Sequence, residues 1–280
     1  MAAADRPDGA RHGPLTLTVL GAGSALPAPG RGPAGYALTG GGLEGATLLD
    51  CGPGSVRSLV DRGLVLDDVR RVVVSHFHAD HVLDLFALAF ARRNPALPGE
   101  RPRLDLVGPR GLAELVALET GPLGQWVRDP RHGVAEVDPD VPGAVQRPDL
   151  TLAHAAMRHS PEALAWRVTA PSGASLVYSG DTGETPALAE LVARGGPADL
   201  LVAECALPLG VEPAAHLDAR AAARAARDGG ARALLLTHFY PDVDPESARA
   251  AAREVFDGPV GVARDGTRVA LEPGRAPHLP

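Results

Sequence analysis

Short apolar runs separated by glycine- and proline-rich joints set the rhythm of the chain. Leu15-Thr16-Leu17-Thr18-Val19-Leu20 alternates apolar residues with Thr, which predicts a first strand. Tyr36-Ala37-Leu38 and Ala46-Thr47-Leu48-Leu49 read as a hairpin pair, and Arg71-Val72-Val73-Val74 as a further strand. Strands also fit Leu104 to Val107 and Leu150 to Met157; Leu164 to Thr169 pairs with Ser175 to Tyr178 across the turn Pro171-Ser172-Gly173. The amphipathic or capped stretches Ser55 to Asp61, Val82 to Ala91 and Pro109 to Ala117 predict helices in the first half. Strands and helices then alternate: helix Pro186 to Arg194, strand Leu200 to Ala203, helix Ala219 to Arg227, strand Ala233 to Leu236 and helix Pro245 to Phe256. Strands Val260 to Ala263 and Arg268 to Leu271 close the chain. Residues 119–149 are the least regular part, with Trp126, Arg128, Arg131 and His132 among Gly, Pro and Asp; an irregular stretch this long reads either as a lid or substrate-facing insertion or as a plain surface excursion.

Polar residues fall just where these strands run out. Asp50 follows Leu48-Leu49 and precedes Cys51-Gly52-Pro53-Gly54; His159 follows the strand from Leu150; Asp181 stands in Ser179-Gly180-Asp181-Thr182. Glu204 ends the strand from Leu200, and His238 follows Leu236-Thr237. Such a concentration at the ends of buried strands marks an active-site edge. The densest stretch is Ser75-His76-Phe77-His78-Ala79-Asp80-His81. Three imidazoles and a carboxylate this close are hard to explain as packing, since His and Asp are rarely buried without partners. In an extended segment His76 and His78 share one face, while Asp80 and His81, at the turn into the next helix, can face a second centre. The cluster reads as a metal site. His12, His132, His154 and His278 fall in the tail, the irregular stretch, a strand interior and the C-terminus, and carry no such pattern.

Composition narrows the class. A chain of 280 residues with 45 % apolar and 22 % charged residues is an ordinary globular enzyme in make-up, and no composition break asks for a second domain. Residues 1–13 read as a polar, disordered leader without a signal-peptide core, and 14–280 as one domain. The net charge of −7 argues against a general nucleic-acid binder. Two cysteines, Cys51 and Cys205, make no disulfide framework and fit a reducing cytoplasm. No apolar run reaches the roughly 18 residues of a membrane span. Gly21-Ala22-Gly23 invites a dinucleotide-loop reading, but Pro27, Pro29 and Pro33 preclude the helix that would have to follow.

From Leu15 onward the chain resembles the metallo-β-lactamase superfamily, in its ribonuclease Z-like and cyclic-nucleotide phosphodiesterase-like branch. The residues that carry the resemblance are Asp50 in Leu-Leu-Asp-Cys-Gly, the motif His76 to His81, His159, Asp181 in Ser-Gly-Asp-Thr and His238 in Leu-Thr-His-Phe. The resemblance implies an α/β fold, a four-layer αββα sandwich with two divalent metal ions at one edge. It assigns His76, His78 and His159 to one ion, Asp80, His81 and His238 to the other, and Asp181 to both. Asp50, at a strand end before a Gly-Pro turn, reads either as an Asx turn or as a carboxylate that receives the second ring N–H of a ligating His. Imidazole and carboxylate donors without thiolate suit Zn and also allow Mn or Fe. With a bridging hydroxide the centre carries about one net positive charge, which suits an anionic diester.

In the same branch a His placed like His216 contacts the scissile phosphate and protonates the leaving group, oriented by a Glu placed like Glu204. The resemblance therefore adds Asp80, His216 and Glu204 as catalytic candidates, although His216-Leu217-Asp218 departs from the usual His-Ser/Thr continuation. The tRNA-processing members of the branch carry a long basic arm between the His159-like and Asp181-like positions. Here that interval holds a short hairpin, Val168 to Tyr178, without a basic residue, which points away from tRNA and towards a small anionic phosphodiester such as a 3′,5′-cyclic nucleotide. A ribonuclease Z-like RNA endonuclease and a lactonase or β-lactamase-like hydrolase are the alternatives. Members of the branch dimerise, and Val82 to Phe90 is the candidate contact for a homodimer.

Overall fold

Strands that are apolar on both faces require cover on both sides, and the fold meets that requirement with two sheets packed face to face and helices on each outer surface. The computed structural model describes residues 13–94, 96, 102–117, 132–212 and 214–280. Residues 1–12 of the expected leader, and Trp126, Arg128 and Arg131, lie outside the described residues.

The first sheet runs β14-β1-β2-β3-β4-β5-β6, from β1 (Leu15–Gly21), β2 (Gly35–Thr39), β3 (Ala46–Cys51), β4 (Val69–Val73), β5 (Asp105–Pro109), β6 (Gly133–Val137) and β14 (Arg268–Leu271). The second runs β13-β12-β11-β10-β9-β8-β7, from β7 (Gly143–Arg147), β8 (Leu150–Ala156), β9 (Leu164–Thr169), β10 (Ser175–Tyr178), β11 (Leu200–Glu204), β12 (Leu234–Thr237) and β13 (Val260–Val262). Both sheets are mixed. The expected hairpins are antiparallel pairs, Tyr36 opposite Leu49 and Tyr178 opposite Trp166. The strand-helix rhythm gives the parallel run β10 to β13.

Alternation along the strands sorts side chains into layers. Leu15, Leu17 and Val19 of β1 point between the sheets, where they meet Trp166, Leu176 and Leu235. Leu20, Leu48 and Val72 face outward against Leu59 of α1 (Ser55–Asp61), Val82, Leu85 and Leu88 of α2 (Ala79–Arg92) and Leu112 of α3 (Leu112–Ala117). On the other side α4 (Pro186–Ala193), α5 (Ala219–Asp228) and α6 (Pro245–Arg253) cover the second sheet. The buried face of α5 is alanine throughout, Ala219, Ala222, Ala223 and Ala226 among them, so its backbone can approach the sheet closely. Asp218 caps the helix by accepting the Ala221 N–H at 2.7 Å. The four-layer αββα sandwich is thus the observed architecture.

Several sequence boundaries need correction. The stretch 119–149 is not irregular throughout: Gly133–Val137 pairs parallel with β5, and Gly143–Arg147 pairs antiparallel with β8. These are edge strands that expose alternate residues and hold few large apolar side chains, so the apolar signal is weak. Pro109 ends β5 and α3 begins only at Leu112, consistent with proline lacking the donor a helix interior needs. The helix expected from Val82 begins at Ala79, which puts Asp80 and His81 in its first turn, and α6 stops at Arg253. No helix among the described residues is long and apolar enough to cross a membrane.

Candidate metal centre

The polar cluster collects on one edge of the sandwich, where β3, β4, β8, β10, β11 and β12 run out. Two of its residues hold the left-handed conformation although neither is glycine: Asp50 at φ 55° and His238 at φ 56°. Backbone strain of this kind costs on the order of 1–3 kcal/mol and gathers at functional sites. Two glycines allow the close approaches. A Cβ on Gly52 would lie 1.8 Å from the Asp80 carbonyl oxygen, so only glycine lets the start of α2 meet the turn after β3. Gly180 is held at φ 55°, and a Cβ there would come within 2.8 Å of the Ser75 Cβ.

The ligand atoms fall into two groups. His76, His78, His159 and Asp181 form one, and Asp80, His81 and His238 the other; in each, one donor atom per residue lies within 4.8 Å of those of the others. Asp181 stands between them. Its Oδ2 is 3.2 Å from His238 Nε2 and 3.7 Å from His159 Nε2, while its Oδ1 is 3.3 Å from His81 Nε2. His78 Nδ1 and His159 Nε2 face each other at 3.0 Å. The more exposed end of the cluster is the His78–His159 side; Asp80, His81 and His238 are all buried.

These residues fit a pair of divalent cations. His76 Nε2, His81 Nε2 and Asp181 Oδ1 are buried without a hydrogen-bond partner, which is costly for polar atoms unless something else satisfies them. Burial, reinforced by the neighbouring His81, pushes His76 down to about 2, so its imidazole is neutral and free to ligate. Burial likewise lowers His159 and His238. For Asp181 burial opposes ionisation, but His238 and His81 outweigh it and hold the carboxyl well below its usual range. At His81 burial opposes the proton, but Asp181 and Asp50 prevail and raise its pKa well above the usual value, a positive charge that a bound cation would replace. The neutral imidazoles of His76, His159 and His238 around an ionised carboxylate are the donor chemistry of Zn, Mn or Fe sites.

Behind the ligands lies a layer of orienting contacts. Asp50 Oδ2 is 2.7 Å from His81 Nδ1 and also accepts the hydroxyls of Tyr178 and Ser75, each at 2.7 Å. Oδ1 accepts the Ser75 N–H at 2.7 Å. The Ala215 carbonyl lies 3.0 Å from His159 Nδ1. Asp50, expected as an orienting carboxylate, therefore contacts His81, whereas Ser75, Tyr178 and Ala215 were not legible as partners. Ser75 opens the histidine motif and Tyr178 immediately precedes Ser-Gly-Asp-Thr, but their neighbours are set by the tertiary fold.

Beside the cluster, His216 Nδ1 lies 3.1 Å from Glu204 Oε2 and 3.2 Å from Oε1. Glu204 Oε1 also accepts the Thr182 N–H at 2.5 Å, tying the pair to the loop that carries Asp181. Burial raises the Glu204 carboxyl to about 7. For His216 burial opposes the proton, but the Glu204 contact prevails and raises its pKa. The His216 ring centre is 4.8 Å from that of His159, and Tyr240, 5.7 Å from His216 and 6.1 Å from His238, lines the same edge. All the expected ligands, and Asp50, Glu204 and His216 with them, are thus brought together. His154 lies apart, buried in β8 against Trp166.

Comparison with known proteins bears on the family and the fold. Residues 47–239 match the family model described as the beta-lactamase superfamily domain. An uncharacterized protein of Mycobacterium tuberculosis is 34 % identical over 263 residues, covering 88 % of each chain. Ribonuclease Z of Methanopyrus kandleri is 32 % identical over 285 residues, covering 91 % of this chain and 97 % of its own. Among solved structures, the metallo-beta-lactamase fold protein YhfI of Bacillus subtilis superposes with a TM-score of 0.78 at 26 % identity, covering 91 % of this chain and 98 % of its own.

Proposed function

This chain belongs to the beta-lactamase superfamily, and from that premise we propose that it is a dinuclear metal-dependent phosphodiesterase acting on a small anionic diester, a 3′,5′-cyclic nucleotide being one candidate. His76, His78 and His159 would hold one ion, Asp80, His81 and His238 the other, with Asp181 shared. When bound, the two ions supply Lewis-acid polarisation of the diester and an acidified water as nucleophile.

The observation that carries the diester reading is the His216–Glu204 pair beside the ligand cluster. An alkoxide leaving group needs a proton, and His216, beside the ligand cluster, would give it. Its Nδ1 is engaged by Glu204, so Nε2 is the atom left to deliver the proton to the leaving oxygen. Glu204 keeps that ring oriented and, through the Thr182 amide, in register with Asp181. Hydrolysis of a lactone makes less demand on such an acid.

Small size of substrate is supported by the layout between His159 and Asp181. The link from β9 to β10 is a tight turn with Gly173 N–H bonded to the Ala170 carbonyl, and Ser172 N–H bonded back to the Gly41 carbonyl. It projects no basic arm. A ribonuclease Z-like RNA endonuclease is the second reading, favoured by the near-complete match to ribonuclease Z of Methanopyrus kandleri.

Hydrolysis of bis(p-nitrophenyl) phosphate, cyclic AMP, a precursor tRNA and a lactone, with and without added Zn or Mn, separates these readings. Turnover of small diesters exceeding the others is expected. Cleavage of the precursor tRNA without small-diester turnover would replace the first reading by the second.

A further inference from the structure

The hydrogen bonds around Asp50 extend beyond the ligand set. Three donors converge on one carboxylate oxygen, Oδ2: the Tyr178 hydroxyl at 2.7 Å, the Ser75 hydroxyl at 2.7 Å and His81 Nδ1 at 2.7 Å. Oδ2 accepts from the Tyr178 and Ser75 hydroxyls, and an oxygen so engaged accepts from His81 as well, so His81 carries its proton on Nδ1. Ser75 has one hydroxyl proton, and the bond to Asp50 uses it. Towards His76 Nδ1, 3.0 Å away, the Ser75 oxygen can then only accept. His76 therefore also carries its proton on Nδ1.

We infer that Ser75 and Tyr178 are positioning residues of the metal centre, and that through them the single Asp50 carboxylate fixes the Nδ1–H form of one ligand to each ion: His81 directly and His76 through the Ser75 hydroxyl. The two nitrogens that this leaves bare are His76 Nε2 and His81 Nε2, the buried imidazole atoms of the ligand cluster that lack a partner. Both rings are fully buried, as are Asp50 and Ser75, so water does not compete for these bonds. Tyr178 is buried to 2 % exposure and packs against Tyr36 with ring centres 5.0 Å apart and planes tilted by 53°, which holds its hydroxyl on Asp50. The network thus couples the two ions: Ser75 touches His76 directly and His81 only through Asp50, whereas Tyr178 reaches either ligand only through Asp50.

The inference rests on the metal-binding part of the proposed function and is indifferent to substrate. It is tested on zinc-loaded protein labelled with ¹⁵N-histidine. Long-range ¹H–¹⁵N spectra of the wild type are expected to show His76 and His81 coordinated through Nε2, each with a slowly exchanging Nδ1–H. Ser75→Ala is expected to lose the slow exchange at His76, whose acceptor is removed, and to weaken the ion that His76 would hold about 10- to 100-fold in a chelator competition, with a smaller effect on the other ion through Asp50. Tyr178→Phe keeps the ring and its packing, and is expected to weaken both ions by a similar smaller factor. Coordination of His76 through Nδ1 in the wild type overturns the inference without any variant. An unchanged His76 Nδ1–H in Ser75→Ala overturns it as well. If the wild type takes up no zinc, the proposed function itself fails, and the two failures are told apart.

Discussion

Glu204 engages His216 through both carboxylate oxygens, at 3.1 and 3.2 Å from Nδ1, while neither residue belongs to the groups of converging ligand atoms. Ligation and proton delivery should therefore separate on mutation. His216→Ala is expected to keep both metal ions while losing about 100- to 10,000-fold in turnover of a diester with an alkoxide leaving group. The loss should be much smaller for a p-nitrophenolate leaving group, which departs without a proton. Metal analysis alongside rates on the two substrates checks this; depletion of metal in the variant would move His216 into the ligand set.

Asp181 is in the opposite position, since its carboxylate lies within 4 Å of His76, His81, His159 and His238. Asp181→Ala is expected to abolish metal binding, not merely turnover. Loaded wild-type protein should also melt higher than the chelated form. A ligand present at 100 times its Kd stabilises the folded state by about 2.7 kcal/mol, and Asp181→Ala should show no such shift on adding Zn. Differential scanning calorimetry with and without chelator measures both.

The amino-acid order discloses a site of this kind because strands covered on both faces leave polar residues only where they emerge. Asp50, His159, Asp181, Glu204 and His238 stood out against apolar runs for that reason. The same logic failed at the sheet edges, where β6 and β7 are half-exposed and lack the contrast. It also misplaced the start of α2, because Ala79-Asp80-His81 has no apolar period although it forms the helix's first turn. Ser75 and Tyr178 are 103 residues apart by their numbers, and their meeting on Asp50 depends on how β3, β4 and β10 are arranged across the two facing sheets.

The two sheets are also joined far from strand-end chemistry by an ionic cluster. Arg71 on β4 is bonded to Asp105 at 2.8 Å and to Asp149 at 3.0 Å, and Arg147 on β7 shares Asp105 at 2.7 Å. Arg71 and Asp149 are both 6 % exposed in their side chains. Asp149→Ala leaves the Arg71 charge buried with less compensation and is expected to cost about 3 kcal/mol in urea unfolding. Burial raises the Asp105 pKa, but Arg147 and Arg71 outweigh it and the net shift is downward. A depressed carboxyl stabilises the fold above its unfolded pKa of about 3.9, and that contribution is lost as pH falls through the lower folded value. The cluster should therefore account for part of the acid destabilisation, and Asp105→Asn should reduce it.

His154 predicts a second pH dependence, from a base and not an acid. It is 3 % exposed on β8, its Nδ1 has no partner, and its ring lies 5.4 Å from that of Trp166. Burial, with Arg194 nearby, lowers its pKa. In the folded chain the ring is then neutral at a pH where the unfolded chain, with a pKa of about 6.5, is already protonated. The unfolded state binds the extra proton, so stability must fall as pH drops below that value and level off only beneath the depressed folded pKa. His154→Phe cannot take up the proton and keeps an aromatic ring against Trp166. The difference in unfolding free energy between wild type and variant cancels the metal-site histidines, which both share. It should shift in favour of the variant as the solution is acidified through about pH 6, measured by urea unfolding of zinc-free protein. A difference that stays flat across that range would mean that His154 titrates alike in both states, as an accessible ring would.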